Sequence, residues 1–177
     1  MVNACFEDMI SSLDIATLRK KYPNFAIRCG ILLIRAEDEK ILIVREKPRG
    51  DFIGNVCGPP KGATSSRDKT CIATACRELR EETGISVSEA CCAASRPYFV
   101  FFHKYFRELL VIFPVVMEHP PEPRIDTREI SEYYWLSLTE LKNCPVPMSS
   151  YTQKLIECLY NLCCVGTDDE VSLPDRM

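Results

Sequence analysis

The stretch Arg77-Glu78-Leu79-Arg80-Glu81-Glu82-Thr83-Gly84-Ile85 decides how the rest of this chain is read. On a helix, Glu78, Glu81 and Glu82 stand at i, i+3 and i+4 and project from one face. Like charges at that spacing repel by roughly 0.2–0.5 kcal/mol per pair. They also lie near the helix C-terminus, where the macrodipole disfavours anions. A hard divalent cation turns this liability into a site, because Mg²⁺ takes carboxylate oxygens and binds phosphates through its remaining positions. Ile72, Ala75, Cys76 and Leu79 form the apolar face of the same helix and are expected to turn the glutamates away from the core. Gly84 is the expected left-handed stop.

Working outward, the loop before the helix carries Pro60-Lys61-Gly62. Together with positions 77–85 it resembles the signature of the Nudix hydrolases, in which a glycine-led loop enters a helix reading Arg-Glu-apolar-X-Glu-Glu-X-Gly-apolar. All nine positions from Arg77 to Ile85 satisfy that pattern. The loop departs from it, since the family's loop glycine and a glutamate would fall where Ala63 and Lys69 stand. Gly62 as the loop glycine implies one inserted residue, and Asp68 is then the nearest acid to the missing glutamate.

The resemblance implies an α/β/α sandwich with a mixed sheet, covering residues 25–165. It also implies Mg²⁺ or Mn²⁺ held by Glu78, Glu81 and Glu82, with the peptide oxygen of Gly62, or of Ala63 if the insertion shifts it, as a further ligand. Arg77 is assigned to structure, holding the loop or an acid, and Asp68 to the same role with a shorter arm. Glu129-Ile130, with Trp135 beyond, resembles a segment of several Nudix enzymes in which the first glutamate is a metal ligand or base. Glu129 is therefore the expected base and further metal ligand, with Glu132 its rival. The plain alternative for all these acids is a solvated surface.

Phosphoanhydride hydrolysis needs neutralised phosphate oxygens, an activated water and an aligned leaving group. Lys61 is a candidate phosphate partner because an ammonium on a flexible stem is a mobile point charge. Arg45, Lys47, Arg49, Lys61 and Arg67 form a basic set around the loop, and Arg45 and Lys47 are read with Lys61 as substrate contacts. Tyr98, Phe99, Phe101, Phe102, Tyr105 and Phe106 supply rings and Arg96, His103, Lys104 and Arg107 supply charge, as a cap and an RNA path would require. Pro-Lys-Gly and Glu-Ile with the later Trp resemble mRNA-decapping Nudix enzymes, and also certain dinucleoside-polyphosphate enzymes. The leading expectation is removal of an mRNA cap, the second a free nucleotide derivative such as a dinucleoside polyphosphate, nucleoside triphosphate or diphosphoinositol polyphosphate. A competing class is a Nudix-like module that binds nucleotide or RNA without hydrolysing it.

Composition frames these readings. A chain of 177 residues with 46% hydrophobic content fits one domain with a proper core. A net charge of −3 supplies no global basic field for non-specific nucleic-acid binding. Eleven cysteines include no Cys-X-X-Cys pair, and only His103 and His119 could complete a zinc site. Reduced cysteine acts as a small hydrophobe, so a reducing cytoplasm or nucleus is expected, and no apolar run is long enough to span a bilayer.

Residues 7–20 read as a short helix within an N-terminal segment, 1–24, packed on the domain. Residues 25–34 and 41–44 read as a hairpin, 45–58 as a surface loop, and 69–83 as the acidic helix. Residues 98–105 and 107–116 read as antiparallel strands, with Pro114 placing the second at an edge or bulge. The prolines at 120, 121 and 123 force an extended connector, 132–136 is a short strand, Ser137 or Thr139 caps a helical turn, and 151–163 is a helix. Residues 166–177 read as a flexible tail.

Overall fold

The computed structural model describes residues 2–5, 14–48, 55–94 and 98–165. Its centre is the pair β2 (Ala26–Arg35) and β7 (Glu108–Met117), which run parallel in unbroken register from Ala26↔Glu108 to Arg35↔Met117. Both are nearly continuous apolar runs, as expected of strands covered on two faces. Alternation then assigns the faces. Cys29, Ile31 and Leu33 of β2 and Leu109, Val111, Phe113 and Val115 of β7 enter one core, whereas Leu32, Leu110 and Ile112 enter the other. The first core is closed by α1 (Ile15–Lys21), α2 (Cys71–Thr83) and α3 (Glu89–Ala94), the second by α4 (Leu138–Lys142) and α5 (Ser150–Val165). A mixed sheet between two helical layers results, the expected fold class.

Beyond β7 lies β6 (Phe99–His103), antiparallel to it, and then β1 (Val2–Cys5), antiparallel to β6. The expectation of a purely helical N-terminal segment is thus corrected, because Val2–Cys5 adds an edge strand whose four residues are too few to show a period. Residues 6–13, most of the expected first helix, lie outside the described residues, as does the tail at 166–177. The edge reading of β7 also needs correction. Its first half is flanked on both sides and so is not an edge, but β6 ends at Phe99↔Ile112, so Pro114 occurs where β7 pairs only with β2, a local edge of the kind proline tolerates.

On the other side, β2 meets β3 (Lys40–Glu46) only at Ile34↔Ile41 and Arg35↔Lys40. The two strands then part. β5 (Lys61–Ala63) adds to β2, while β4 (Cys57–Gly58) and β8 (Ile130–Leu136) add to β3. The expected loop at 45–58 is therefore strand at both ends, since Arg45 and Glu46 continue β3 and Cys57 is buried in β4; residues 49–54, including Arg49, lie outside the described residues. Cys29 and Cys71 pack as buried apolar groups. Among the described residues no helix is long and apolar enough to cross a membrane.

Candidate active site

The acidic helix is held at both ends. The Thr70 hydroxyl accepts the N–H of Ala73 at 3.0 Å, and Gly84, at φ 71°, donates its N–H to the Arg80 carbonyl at 2.9 Å. A Cβ at Gly84 would also sit 3.3 Å from that of Arg124. At the other side of the site, a Cβ on Gly62 would lie 2.0 Å from a Glu78 carboxylate oxygen. Glycine there lets β5 pass close beneath that carboxylate without displacing it.

Arg77 ties loop to helix. Its Nε and Nη2 donate to the two oxygens of Asp68 at 3.2 and 2.9 Å, Nη2 also donates to the Ala63 carbonyl at 2.9 Å, and Nη1 donates to Glu78 and Glu81 at 2.6 and 2.8 Å. Asp68 also accepts the Ser65 N–H at 2.8 Å, closing the turn in which the exposed Lys69 points away. Burial pushes the Asp68 carboxyl up, but the Arg77 guanidinium and the Ser65 N–H overcome it and hold it at about 2.

The three glutamates are not equivalent, and the expectation that all face away from the core is corrected. Glu81 is 54% exposed at its side chain, whereas Glu82 is only 6% exposed. Burial drives the Glu82 carboxyl up to about 8, against the pull of Lys61. Glu78 is raised too, again by burial. Lys61 is neither mobile nor solvated. It is 6% exposed, its ammonium is paired with Glu46 at the end of β3, and its N–H donates to Glu82 at 3.2 Å. Its place inside the sheet follows from the parting of β2 and β3, which opens a gap that the lysine fills.

The connector after β7 brings in the fourth glutamate. Arg124 N–H donates to the Thr83 carbonyl at 2.7 Å and Asp126 N–H to the Glu82 carbonyl at 3.1 Å, fastening the connector to the last turn of α2. Lys47 grips the next residues, its N–H donating to the Glu129 carbonyl at 2.7 Å and its ammonium to the Thr127 carbonyl. Register shifts between Arg45↔Glu132 and Glu46↔Ile130, a bulge of the kind that re-aims side chains beside active sites. Glu129 consequently lines the cavity, while Glu132 pairs with Arg45 at 2.9 Å and accepts the Tyr134 hydroxyl. Arg45 also donates to Asn55 at 2.6 Å and does not line the cavity. Trp135 packs under Arg35, 4.7 Å from its ring centroid, away from the cavity.

The cavity has a volume of about 650 Å³. Its lining is acidic, with Glu46, Glu78, Glu81, Glu82, Glu108 and Glu129, and it also holds Arg28, Lys61 and Phe106; Arg28 stands opposite Ala63 in the sheet, and its charge reaches Glu78. Sequence reading missed Arg28, Glu46 and Glu108. The available signal was a charged residue inside or bordering an apolar β run. Of the expected rings, Phe99 and Phe101 are core, Tyr105 and Phe106 are exposed, and Arg96 lies outside the described residues.

The donors at the acidic end are all hard oxygens, which suits Mg²⁺ or Mn²⁺. Among the described residues no three of them are already gathered into a coordination set, because Arg77 holds Glu78 and Glu81 and Lys61 holds Glu82. The exposed Glu81 is the carboxylate freest to swing. Glu78, Glu81, Glu82, Glu129 and the Gly62 carbonyl would hold the ion, which supplies Lewis-acid stabilisation of phosphate charge and acidifies water.

A mixed sheet between helical layers, with a glycine-led strand running under a glutamate-bearing helix, defines an α/β/α sandwich with an acidic cavity. The chain belongs to the Nudix family: the NUDIX domain model matches residues 25–155. Nudix enzymes use divalent metals and act on nucleotide polyphosphate substrates. The fold is similar to that of a bifunctional NMN adenylyltransferase/ADP ribose pyrophosphatase from Francisella tularensis complexed with AMP and a Mn ion, at 25% identity and TM-score 0.63 over 84% of this chain. This chain spans only 45% of that protein. A MutT protein from Methanosarcina mazei Go1 is 17% identical over 78% of this chain and 95% of its own, with TM-score 0.62. A C. elegans Ap4A hydrolase is 14% identical over 79% of this chain and 98% of its own, with TM-score 0.56. No curated protein matches this chain.

Proposed function

We propose that this chain hydrolyses the diphosphate linkage of an mRNA 5′ cap, adding water across it to release methylated GDP and leave a 5′ monophosphate on the RNA. The observation that carries the reading is a cavity lined both by four glutamates, Glu78, Glu81, Glu82 and Glu129, and by the exposed ring of Phe106. A cationic purine stacked on that ring would extend its phosphates toward the carboxylates and their metal ion. Pro60-Lys61-Gly62 and the Glu129-Ile130 segment support the cap specifically, by their resemblance to decapping enzymes. Glu129, which lines the cavity, is the proposed base, and a cytoplasmic or nuclear setting goes with this substrate.

A second reading, hydrolysis of a free nucleotide derivative, is favoured by a different observation. Arg45, Lys47 and Lys61, the cations expected to meet a polyanion, are engaged with Glu132 and Asn55, with Thr127 and with Glu46. The similar structures named for ADP ribose and Ap4A point the same way. Incubation with cap-labelled RNA and a panel of free nucleotides, in Mg²⁺ or Mn²⁺, separates the two. Labelled nucleoside diphosphate released from RNA supports decapping, and turnover confined to free nucleotides replaces it with the second reading.

A further inference from the structure

We propose that Cys76 of α2 and Cys92 of α3 form a reversible dithiol–disulfide site, closed by a peroxide, on the side of the acidic helix turned from its carboxylates. Their sulfurs lie 3.5 Å apart in an S–H···S contact that joins the two helices. Cys92 is 1% exposed and belongs to the first core, whereas Cys76 packs against that core and is half-buried. At about 100° per residue, Glu78, Glu81 and Glu82 fall at least about 120° around the helix axis from Cys76. A bond at Cys76 therefore leaves the acidic face where it is. The neighbouring Cys91 is directed elsewhere: it is exposed, and the Ser88 hydroxyl donates to its Sγ at 3.1 Å. The N–H groups of Cys91 and Cys92 donate to the Ser88 carbonyl at 3.1 and 3.4 Å, which fixes the first turn of α3 and sends one sulfur of the adjacent pair outward and the other toward Cys76.

The difference in exposure sets the order of events, because a peroxide in solvent reaches Cys76 before Cys92. The Cys76 sulfur gives two electrons to one peroxide oxygen and the O–O bond breaks. Cys76 becomes a sulfenic acid, and the second oxygen leaves as water with the thiol proton. The Cys92 sulfur then attacks the Cys76 sulfur, the S–O bond breaks, and the hydroxyl leaves with the Cys92 proton as a second water. One peroxide thus converts two thiols to one disulfide. The sulfurs must close from 3.5 Å to roughly 2.0 Å, which asks for side-chain rotation and a small shift of the six-residue α3. Cys29 and Cys71 also adjoin one another, but both are 0% exposed and a peroxide does not reach them. In a reducing setting such a bond is transient, reopened by a thiol reductant through exchange. Its chemical role is to stop Cys76 at a reversible stage; without Cys92 the sulfenic acid goes on to sulfinic acid, a lasting anion on the apolar side of the helix.

The readout is thiol chemistry and not turnover, so the test is separate from the hydrolase reading. The full chain, reduced and freed of reductant, is treated with one equivalent of hydrogen peroxide, alkylated and digested for mass spectrometry. The folded protein should lose two hydrogens and yield a linked peptide pair joined at Cys76 and Cys92, and dithiothreitol should restore both thiols. Cys91→Ser should keep the link. Cys92→Ser, with folding checked by circular dichroism, should lose it, give a sulfenic acid at Cys76 that dimedone traps, and accumulate about tenfold more sulfinic acid there than the unsubstituted chain. The unsubstituted chain is decisive even if that variant fails to fold. Absence of the Cys76–Cys92 link in folded protein, its formation only after denaturation, or a link to Cys91 in place of Cys92 overturns the site.

Discussion

Arg77 and Lys61 each hold glutamates of the acidic helix, but they gather them from different distances. Arg77, 21% exposed, draws on its own helix and the adjoining loop: Glu78, Glu81, Asp68 and the Ala63 carbonyl. Lys61, 6% exposed, joins Glu46 from β3 to Glu82 from α2. The first cluster sits at the cavity rim, where an incoming ion can compete with the guanidinium. The second also lines the cavity, but Lys61 and Glu82 are buried there and Glu46 is partly exposed, so the ammonium neutralises acids that folding has gathered.

The largest effect should come from the carboxylates the two cations hold. Glu81→Gln and Glu82→Gln should each lower turnover by about 10³-fold, because a divalent ion's electrostatic help is worth several kcal/mol. Unchanged activity in either would argue for the non-catalytic module. Lys61→Met should cost about 3 kcal/mol of stability in chemical denaturation, since it leaves Glu46 and Glu82 partly or wholly buried without their cation. If stability is unaltered but substrate affinity falls, Lys61 belongs to the substrate after all.

Smaller effects sharpen the Arg77 side. The Asp68 carboxyl is depressed to about 2 from 3.8, so its stabilisation is complete above the unfolded value and disappears as pH falls from about 4 through 2. That amounts to about 2 kcal/mol, and the slope should be missing from Asp68→Asn in denaturation curves across this range. Lys47→Met, which frees the Thr127 carbonyl and slackens the loop carrying Glu129, should lower kcat about tenfold with KM little changed. A tenfold rise in KM with kcat unchanged would instead show that Lys47 contacts phosphate.

The acidic helix and its cap were legible because both rest on contacts within a few residues. Periodicity placed Ala75 and Leu79 in the core, and Gly84 ended the helix for the steric reason that glycine does so elsewhere. Asp68 was legible as Arg77's partner only through the family resemblance, as the nearest acid to the missing glutamate. Lys61 was misread as mobile because its burial depends on β5 joining β2 while β3 diverges, and no window of sequence contains that event. β4 was hidden for the same reason, as two residues become a strand only when β3 lies beside them. That Glu129 lines the cavity while Glu132 pairs with Arg45 goes with a bulge, which shifts register without leaving a compositional mark.

By itself the sequence determined the chemistry available: three carboxylates on one helical face, an arginine spaced to hold them, a glycine to end the helix, and apolar runs sufficient for a covered sheet. These follow from local geometry, where side-chain direction is set by the period of the element. Tertiary structure alone decided which carboxylate is buried, how the cations are engaged, and that Phe106, Arg28 and Glu108 line one cavity with the glutamates. Burial and charge neutralisation depend on neighbours brought from distant strands, and those neighbours exist only once the sheet has assembled.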